Sequence, residues 1–272
     1  VQPIVIDDMP LLEDKDSFIW YSFRSDRARQ ITAMINDLDF CTEKEHKKVK
    51  VHYVCFCRYD KEWKLPVAFP QEEVKNNLGQ VIAAAGLKQL RIAETEKFAH
   101  VTFFFNSQIE EPNKNEDRVM IPSPKVKSYD LQPEMSAYKV TDKLIPLIGK
   151  YDFILLNLAN PDLVGHSGVF SAAVKACEVV DECVGKIVKK ALSEDYVVLL
   201  TADHGNSESM LYKDGEIDPS HGLNCVLLSV INDDLKGAKL KKDAGQKDIA
   251  PTVISLLGLK KPKEMNGESL IG

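Results

Sequence analysis

Five side chains in the second half of the sequence have the types and spacing to hold metal ions. Asp162 and His166 lie in Asp-Leu-Val-Gly-His, Asp203 and His204 open Asp-His-Gly-Asn, and His221 follows in Ser-His-Gly. Carboxylate oxygen and imidazole nitrogen form a mixed ligand set that suits Mn²⁺ or Zn²⁺. Five such ligands exceed what one tetrahedral ion needs, so a two-metal site is the first expectation. Two ions held by carboxylate–histidine pairs could clamp a phosphoryl group and stabilise both its attacking and its leaving oxygen. Asp and Gly after strands also serve as caps and turn residues, and that reading stands beside the catalytic one.

The elements that must position these groups are legible as period and punctuation. Residues 151–159 are an almost unbroken apolar run that reads as a buried parallel strand, and the first cluster begins where the run stops. Residues 196–202 are again apolar and β-branched, with Asp203 next. In open α/β sheets ligands gather at the carboxyl ends of strands, so both clusters can converge on one spot. Upstream, 17–23 and 49–57 read as strands around a helix over 25–38, with 43–50 a charged loop or helix end. Pro66 and Pro70 bracket an extended connector, which sets a domain boundary between 1–70 and 71–272. Beyond it the pattern predicts helices over 72–85, 137–149, 169–192 and 248–257, a strand over 100–106 and a loop over 106–118. Alternating strands and helices predict an α/β fold, with a mostly parallel sheet and helices on both faces.

Composition narrows the class. An apolar content of 44% and a charged content of 28% are those of a soluble globular protein. A net charge of −6 argues against nucleic acid as a partner, because phosphate backbones attract basic surfaces. No apolar run reaches the ~18 residues of a membrane span. The six cysteines are scattered without a zinc-type pair of pairs, and Cys55 and Cys57 are expected to share one strand face as small buried hydrophobes. The scattered cysteines read as free thiols of a reducing cytoplasm.

Three segments carry a resemblance: 157–168 (Asn-Leu-Ala-Asn-Pro-Asp-Leu-Val-Gly-His-Ser-Gly), 201–206 (Thr-Ala-Asp-His-Gly-Asn) and 248–252 (Asp-Ile-Ala-Pro-Thr). They resemble the cofactor-independent phosphoglycerate mutases of the alkaline phosphatase superfamily. Residues 24–29, 86–105 and 122–136 also look like that family's blocks, in its order. The resemblance implies an alkaline-phosphatase-like, metal-binding phosphatase domain over 71–272, preceded over 1–70 by the end of a second α/β domain, the substrate-binding transferase domain, in a monomeric enzyme of glycolysis and gluconeogenesis. Its reaction would interconvert 3-phosphoglycerate and 2-phosphoglycerate through a phosphoserine. It implies two divalent ions, Mn²⁺ first, with Mg²⁺, Zn²⁺ or Co²⁺ as alternatives. Asp162, His166 and His221 would hold one ion, and Asp203 and His204 the second, completed by an aspartate and a serine that this sequence lacks. Lys97 would touch substrate or the phosphoryl group as a catalytic cation, with Arg24 and Arg27 binding substrate. The family's chain is much longer, and this one opens on Val1 and not methionine. A carboxyl-terminal part is therefore expected, inactive alone, with the amino-terminal half as its partner. One local departure stands out: the family flanks its third metal-binding histidine with threonines, whereas Ser220 and Gly222 flank His221.

From the residues alone, Arg24 and Arg27 sit three apart at a strand-to-helix junction, where guanidinium forks and helix N–H groups suit phosphate or carboxylate. Surface solvation beside Asp26 is the alternative, and Arg29 reads as structural. His100 reads as a structural residue heading a strand, and His46 and His52 as surface or sheet residues. Two other function classes stay open. One is a different phosphomutase or phosphohydrolase of the same superfamily; the other is a non-catalytic fragment acting as an interaction module.

Overall fold

Strand-forming and helix-forming runs alternate along the chain and settle into two compact units, residues 1–73 and 74–272. The computed structural model describes residues 10–23, 25–39, 48–70 and 74–271, excepting the side chains of 25–27.

In the first unit β1 (Ser17–Trp20), β2 (His52–Cys57) and β3 (Val67–Phe69) form a parallel sheet in that order. The stretch between Pro66 and Pro70 is thus a short edge strand, with Pro66 supplying a carbonyl to Cys55 N–H at 2.9 Å. Edge positions tolerate such prolines. Helix α1 (Ser25–Asn36) packs Ala28 and Ile35 over Phe18, Trp20, Tyr53 and Cys55. Thr32 Oγ1 lies 2.8 Å from the Tyr53 hydroxyl, whose pKa burial pushes up to about 12. Arg29 donates from Nε to Tyr59 O at 2.7 Å and faces Asp60 at 3.9 Å, a structural role. Cys55 and Cys57 join the same apolar cluster as free thiols.

The second unit opens with α2 (Leu78–Ala84), several residues later than the apolar pattern predicts. Asn77 and Gln80 form a reciprocal capping box there, at 3.0 and 3.1 Å, which fixes the start. Strand β4 (Gln89–Glu94) follows, wholly buried, and runs into α3 (Thr95–Ala99) and a π-helical turn, His100–Phe104. The strand expected over 100–106 is therefore helical. A short apolar run cannot distinguish buried strand from buried helix, and the true strand hides behind polar Gln89, Arg91 and Glu94. Arg91 lies fully buried between the Phe105 and Phe153 rings, 4.6 and 5.2 Å from its guanidinium carbon. Burial pulls its pKa down to about 10 against the attraction of Glu116.

Strand β5 (Glu116–Ile121) begins inside the expected loop, and helix α4 (Ala137–Leu144) gives way to a 3-10 turn holding Pro146, whose missing N–H ends α-helical bonding. Strand β6 (Phe153–Leu156), helix α5 (Asn160–Gly165) and the 23-residue helix α6 (Phe170–Leu192) come next. Strands β5, β4 and β6 form a parallel sheet in that order. The chain ends with β7 (Val198–Thr201), β8 (Leu228–Ile231) and α7 (Ile249–Leu256), β8 being an antiparallel partner of β7 that the sequence did not suggest. Leu90 and Ile92 pack on Val140 and Leu144 of α4 and Ala191 of α6; Phe153, on the opposite face, packs with Ile82 of α2 and Ile254 of α7. Helices thus cover both faces of the central sheet.

Candidate metal centre

Three strand ends contribute to one cluster of charged groups. Past the end of β6, Pro161 stands in the first turn of α5 and Asp162 beside it. Proline suits that position because its N–H would be unpaired anyway, and an acidic side chain there favours the positive helix end. His166 caps the helix four residues on, so carboxylate and imidazole share one face. Past β7, Asp203 and His204 enter a loop that returns through Gly222, and His221 lies on its far side. Past β4, α3 delivers Lys97.

The two oxygens of Asp162 divide their contacts. Oδ2 receives the Lys97 ammonium at 2.6 Å, and both side chains are largely buried. Oδ1 faces His166 Nε2 at 3.3 Å and His221 Nε2 at 3.4 Å, and accepts Asn206 Nδ2 at 2.8 Å. Burial alone would raise the Asp162 pKa; Lys97, Asn206 and His166 outweigh it and hold the carboxyl below its ordinary value. Burial lowers the His221 pKa, with His204, His166 and Lys97 adding to the effect and Asp162 opposing it.

Asp162, His166 and His221 each offer a ligand atom, all within 4.8 Å of one another. One carboxylate and two imidazoles match a divalent ion that keeps open positions for water or substrate. His204 stacks on His221 with ring centres 3.6 Å apart, and its Nε2 lies 3.5 Å from Asp203 Oδ2. All five proposed ligands and Lys97 therefore meet in one region of the second unit. Arg24 falls outside the described residues, and Arg27 lies in the first turn of α1, in the first unit. His46 also falls outside them, while His52 begins β2, exposed.

One residue at the site, Asn206, carries more than sequence reasoning gave it. Asn206 is buried, donates to Asp162 and sits 3.3 Å from both ring nitrogens of His166. Gly165 makes room for it, since a Cβ there would overlap Asn206 Oδ1. Its place inside Asp-His-Gly-Asn was the available signal. His100 is exposed on the π-helical turn and heads no strand. Burial, with Lys97 adding to it, lowers its pKa against the opposing effect of Asp203 and Asp162.

Comparison with known proteins gives this geometry a context. A family model described as the metalloenzyme superfamily matches residues 24–261. A 2,3-bisphosphoglycerate-independent phosphoglycerate mutase of Moorella thermoacetica is 50% identical, over 100% of this chain and 54% of that protein. The protein so named in Clostridium botulinum is 52% identical, over 96% of this chain and 51% of its own length. Among solved structures, Leishmania mexicana phosphoglycerate mutase at low cobalt concentration aligns with a TM-score of 0.75 and 29% identity, over 96% of this chain and 51% of that one. The chain spans about half the length of the curated relatives it matches. The structural likeness agrees with the α/β, alkaline-phosphatase-like class expected from the sequence.

Proposed function

Because the chain belongs to the metalloenzyme superfamily, we propose that it carries the metal-binding part of a 2,3-bisphosphoglycerate-independent phosphoglycerate mutase, which moves a phosphoryl group between the 3- and 2-hydroxyls of glycerate. The observation that carries this reading is the meeting of Asp162, His166 and His221 with the buried Lys97 ammonium at the carboxyl ends of parallel strands.

Asp162, His166 and His221 would hold one divalent ion, Mn²⁺ by preference, and Asp203 with His204 part of a second. Such ions, when bound, supply Lewis-acid stabilisation of charge on the transferring phosphoryl oxygens. Lys97 adds a fixed positive charge beside them, in a setting where burial strengthens it. Its ammonium also keeps Asp162 ionised, so the carboxylate is ready to ligate. Arg24 and Arg27 bind the phosphate or carboxylate of phosphoglycerate, as planar guanidinium groups do well. The first unit is then the end of the substrate-holding transferase domain, and the second the phosphatase-like domain. The serine that accepts the phosphoryl group and the remaining second-site aspartate belong to the rest of the enzyme, which we take to be monomeric and cytoplasmic.

Turnover tests the proposal. The chain alone is expected to leave 3-phosphoglycerate unchanged, and mixing it with the remaining half of a full-length relative is expected to restore isomerisation. Conversion by the chain alone would overturn the assignment of the nucleophile. Preference for another phosphate ester by the reconstituted enzyme would move it elsewhere in the superfamily.

A further inference from the structure

Glu208 lies in the loop after β7, and its carboxylate fastens two ligand-bearing segments at once. Oε2 accepts the Asn206 N–H at 2.8 Å, and Oε1 accepts Asn224 Nδ2 at 3.1 Å. Under it, Gly205 and Gly222 face each other in an antiparallel bridge, with Gly222 N–H donating to Gly205 O at 2.8 Å. Gly205 is the neighbour of His204, and Gly222 the neighbour of His221. Neither glycine has a positive φ, so backbone conformation does not demand them. The placement of the carboxylate does: a Cβ at Gly205 would overlap Glu208 Oε1 and one at Gly222 would stand 2.7 Å from the same oxygen, so either would displace the carboxylate from where it lies. The third segment is reached through Asn206, whose backbone Glu208 holds and whose side chain holds Asp162 Oδ1 and faces His166.

We propose that Glu208 is a positioning residue for the metal centre: its carboxylate locks the Gly205–Gly222 bridge and the Asn206 backbone, fixing His204, His221 and Asp162 relative to one another. The inference rests on the reading of those residues as ion ligands. Glu208 itself stands outside the ligand cluster, its oxygens already engaged by Asn206 and Asn224. Outer partners of this kind orient ligands, and their loss typically weakens metal binding about 10–100-fold. The apposed glycines, which read as turn residues in the sequence, become the complement of the carboxylate that lies over them. Ser220-His221-Gly222 takes on the same sense, because a larger residue after His221 would meet Glu208.

Two measurements on the 272-residue chain test this. Mn²⁺ calorimetry well below the melting temperature compares wild type, Glu208→Gln and Glu208→Ala. Glu208→Ala is expected to raise Kd at least about tenfold with unchanged stoichiometry. Glu208→Gln keeps an acceptor for the Asn206 N–H and is expected to fall between. A merely global loss of stability would leave the Kd of still-folded protein unmoved. Thermal melting in EDTA compares Gly222→Ala, Glu208→Ala and the double variant. Gly222→Ala is expected to lower Tm in wild type and to add little once Glu208 is alanine. A Kd for Glu208→Ala within twofold of wild type, or additive Tm losses, would overturn the proposal. Should wild type bind no Mn²⁺, the ligand reading itself fails, and the melting cycle alone decides the lock: coupled losses support it and additive losses overturn it.

Discussion

Replacing Lys97 with methionine removes one charge from a pair whose members are 7% and 14% exposed and 2.6 Å apart. Methionine fills most of the lysine stem's volume, so the cavity contribution stays small. The cost is the unpaired Asp162 carboxylate. Breaking a buried ion pair from one side typically costs about 3–5 kcal/mol. Asp162 keeps Asn206 on Oδ1 and some access to water, so we expect about 2–3 kcal/mol for the metal-free protein at pH 7. The sign of the pH dependence follows from the depressed Asp162 pKa. A depressed carboxyl contributes stability that is present above its unfolded value, about 3.9, and is lost as pH falls through the folded one. In the variant burial is left with less opposition, the pKa rises, and protonation relieves the penalty. The difference between wild type and variant is therefore largest at pH 7 and shrinks as pH falls towards about 4. Urea unfolding in EDTA at several pH values, followed by far-ultraviolet circular dichroism, reads it. Both tryptophans, Trp20 and Trp63, lie in the first unit, so their fluorescence gives an internal control that should not shift. A penalty below about 0.5 kcal/mol, the scale of an ordinary surface substitution, or one independent of pH, would refute the account.

Other expectations follow the same contacts. Mn²⁺ titration of this chain should lose its tightest site in His166→Ala and keep it in His204→Ala, with occupancy falling as pH drops through and below about 6.5 because ligating imidazoles must be neutral; equal loss in both variants would contradict a self-contained three-ligand site. In a full-length enzyme carrying this segment, Arg27→Ala should lower kcat/KM by about thirtyfold or more, the minimum expected from losing a contact worth about 2–5 kcal/mol, with metal content unchanged; activity within twofold of wild type would return Arg27 to surface solvation. Asn77→Ala should destabilise the second unit by about 1 kcal/mol in urea unfolding, through loss of the capping box that starts α2. Leu144→Ala should cost about 2–5 kcal/mol in the same assay, as a fully buried side chain between α4 and the sheet.

What the sequence disclosed depended on whether chemistry and period pointed the same way. Residues 151–159 and 196–202 are apolar enough to read as strands, and Asp162 and Asp203 follow them in the positions where α/β sheets gather ligands. Helix α6 carries an unmistakable apolar face and was legible to within a residue at its start. Strand β4 was not, because Gln89, Arg91 and Glu94 interrupt its apolar residues and are buried only through a tertiary network of rings and carboxylates. Residues 100–106 looked like a strand because a short apolar run fits buried strand and buried helix alike, and His100–Phe104 is a helical turn. Strand β8 has an ordinary apolar run but no turn signal tying it to β7, from which 26 intervening residues separate it. Glu208 was invisible for a different reason. Its importance lies in two glycines that touch it, and no one-dimensional pattern shows which carboxylate a glycine makes room for.

Two apolar strands, β6 and β7, have a consequence for the protein in solution. Among the described residues, β6 pairs only with β4, and β7 only with β8. Their segments, Phe-Ile-Leu-Leu and Val-Leu-Leu-Thr, contain no charge, proline or glycine. Proteins usually blunt such edges with lysines, prolines or bulges, because unpaired backbone on an apolar strand is a template for another chain. A surplus of negative charge opposes the approach of two copies, yet its reach is only about 10 Å at ordinary salt and shortens as salt rises. Concentrated preparations are thus expected to associate edge to edge, more readily as salt rises, which light scattering against salt concentration would read.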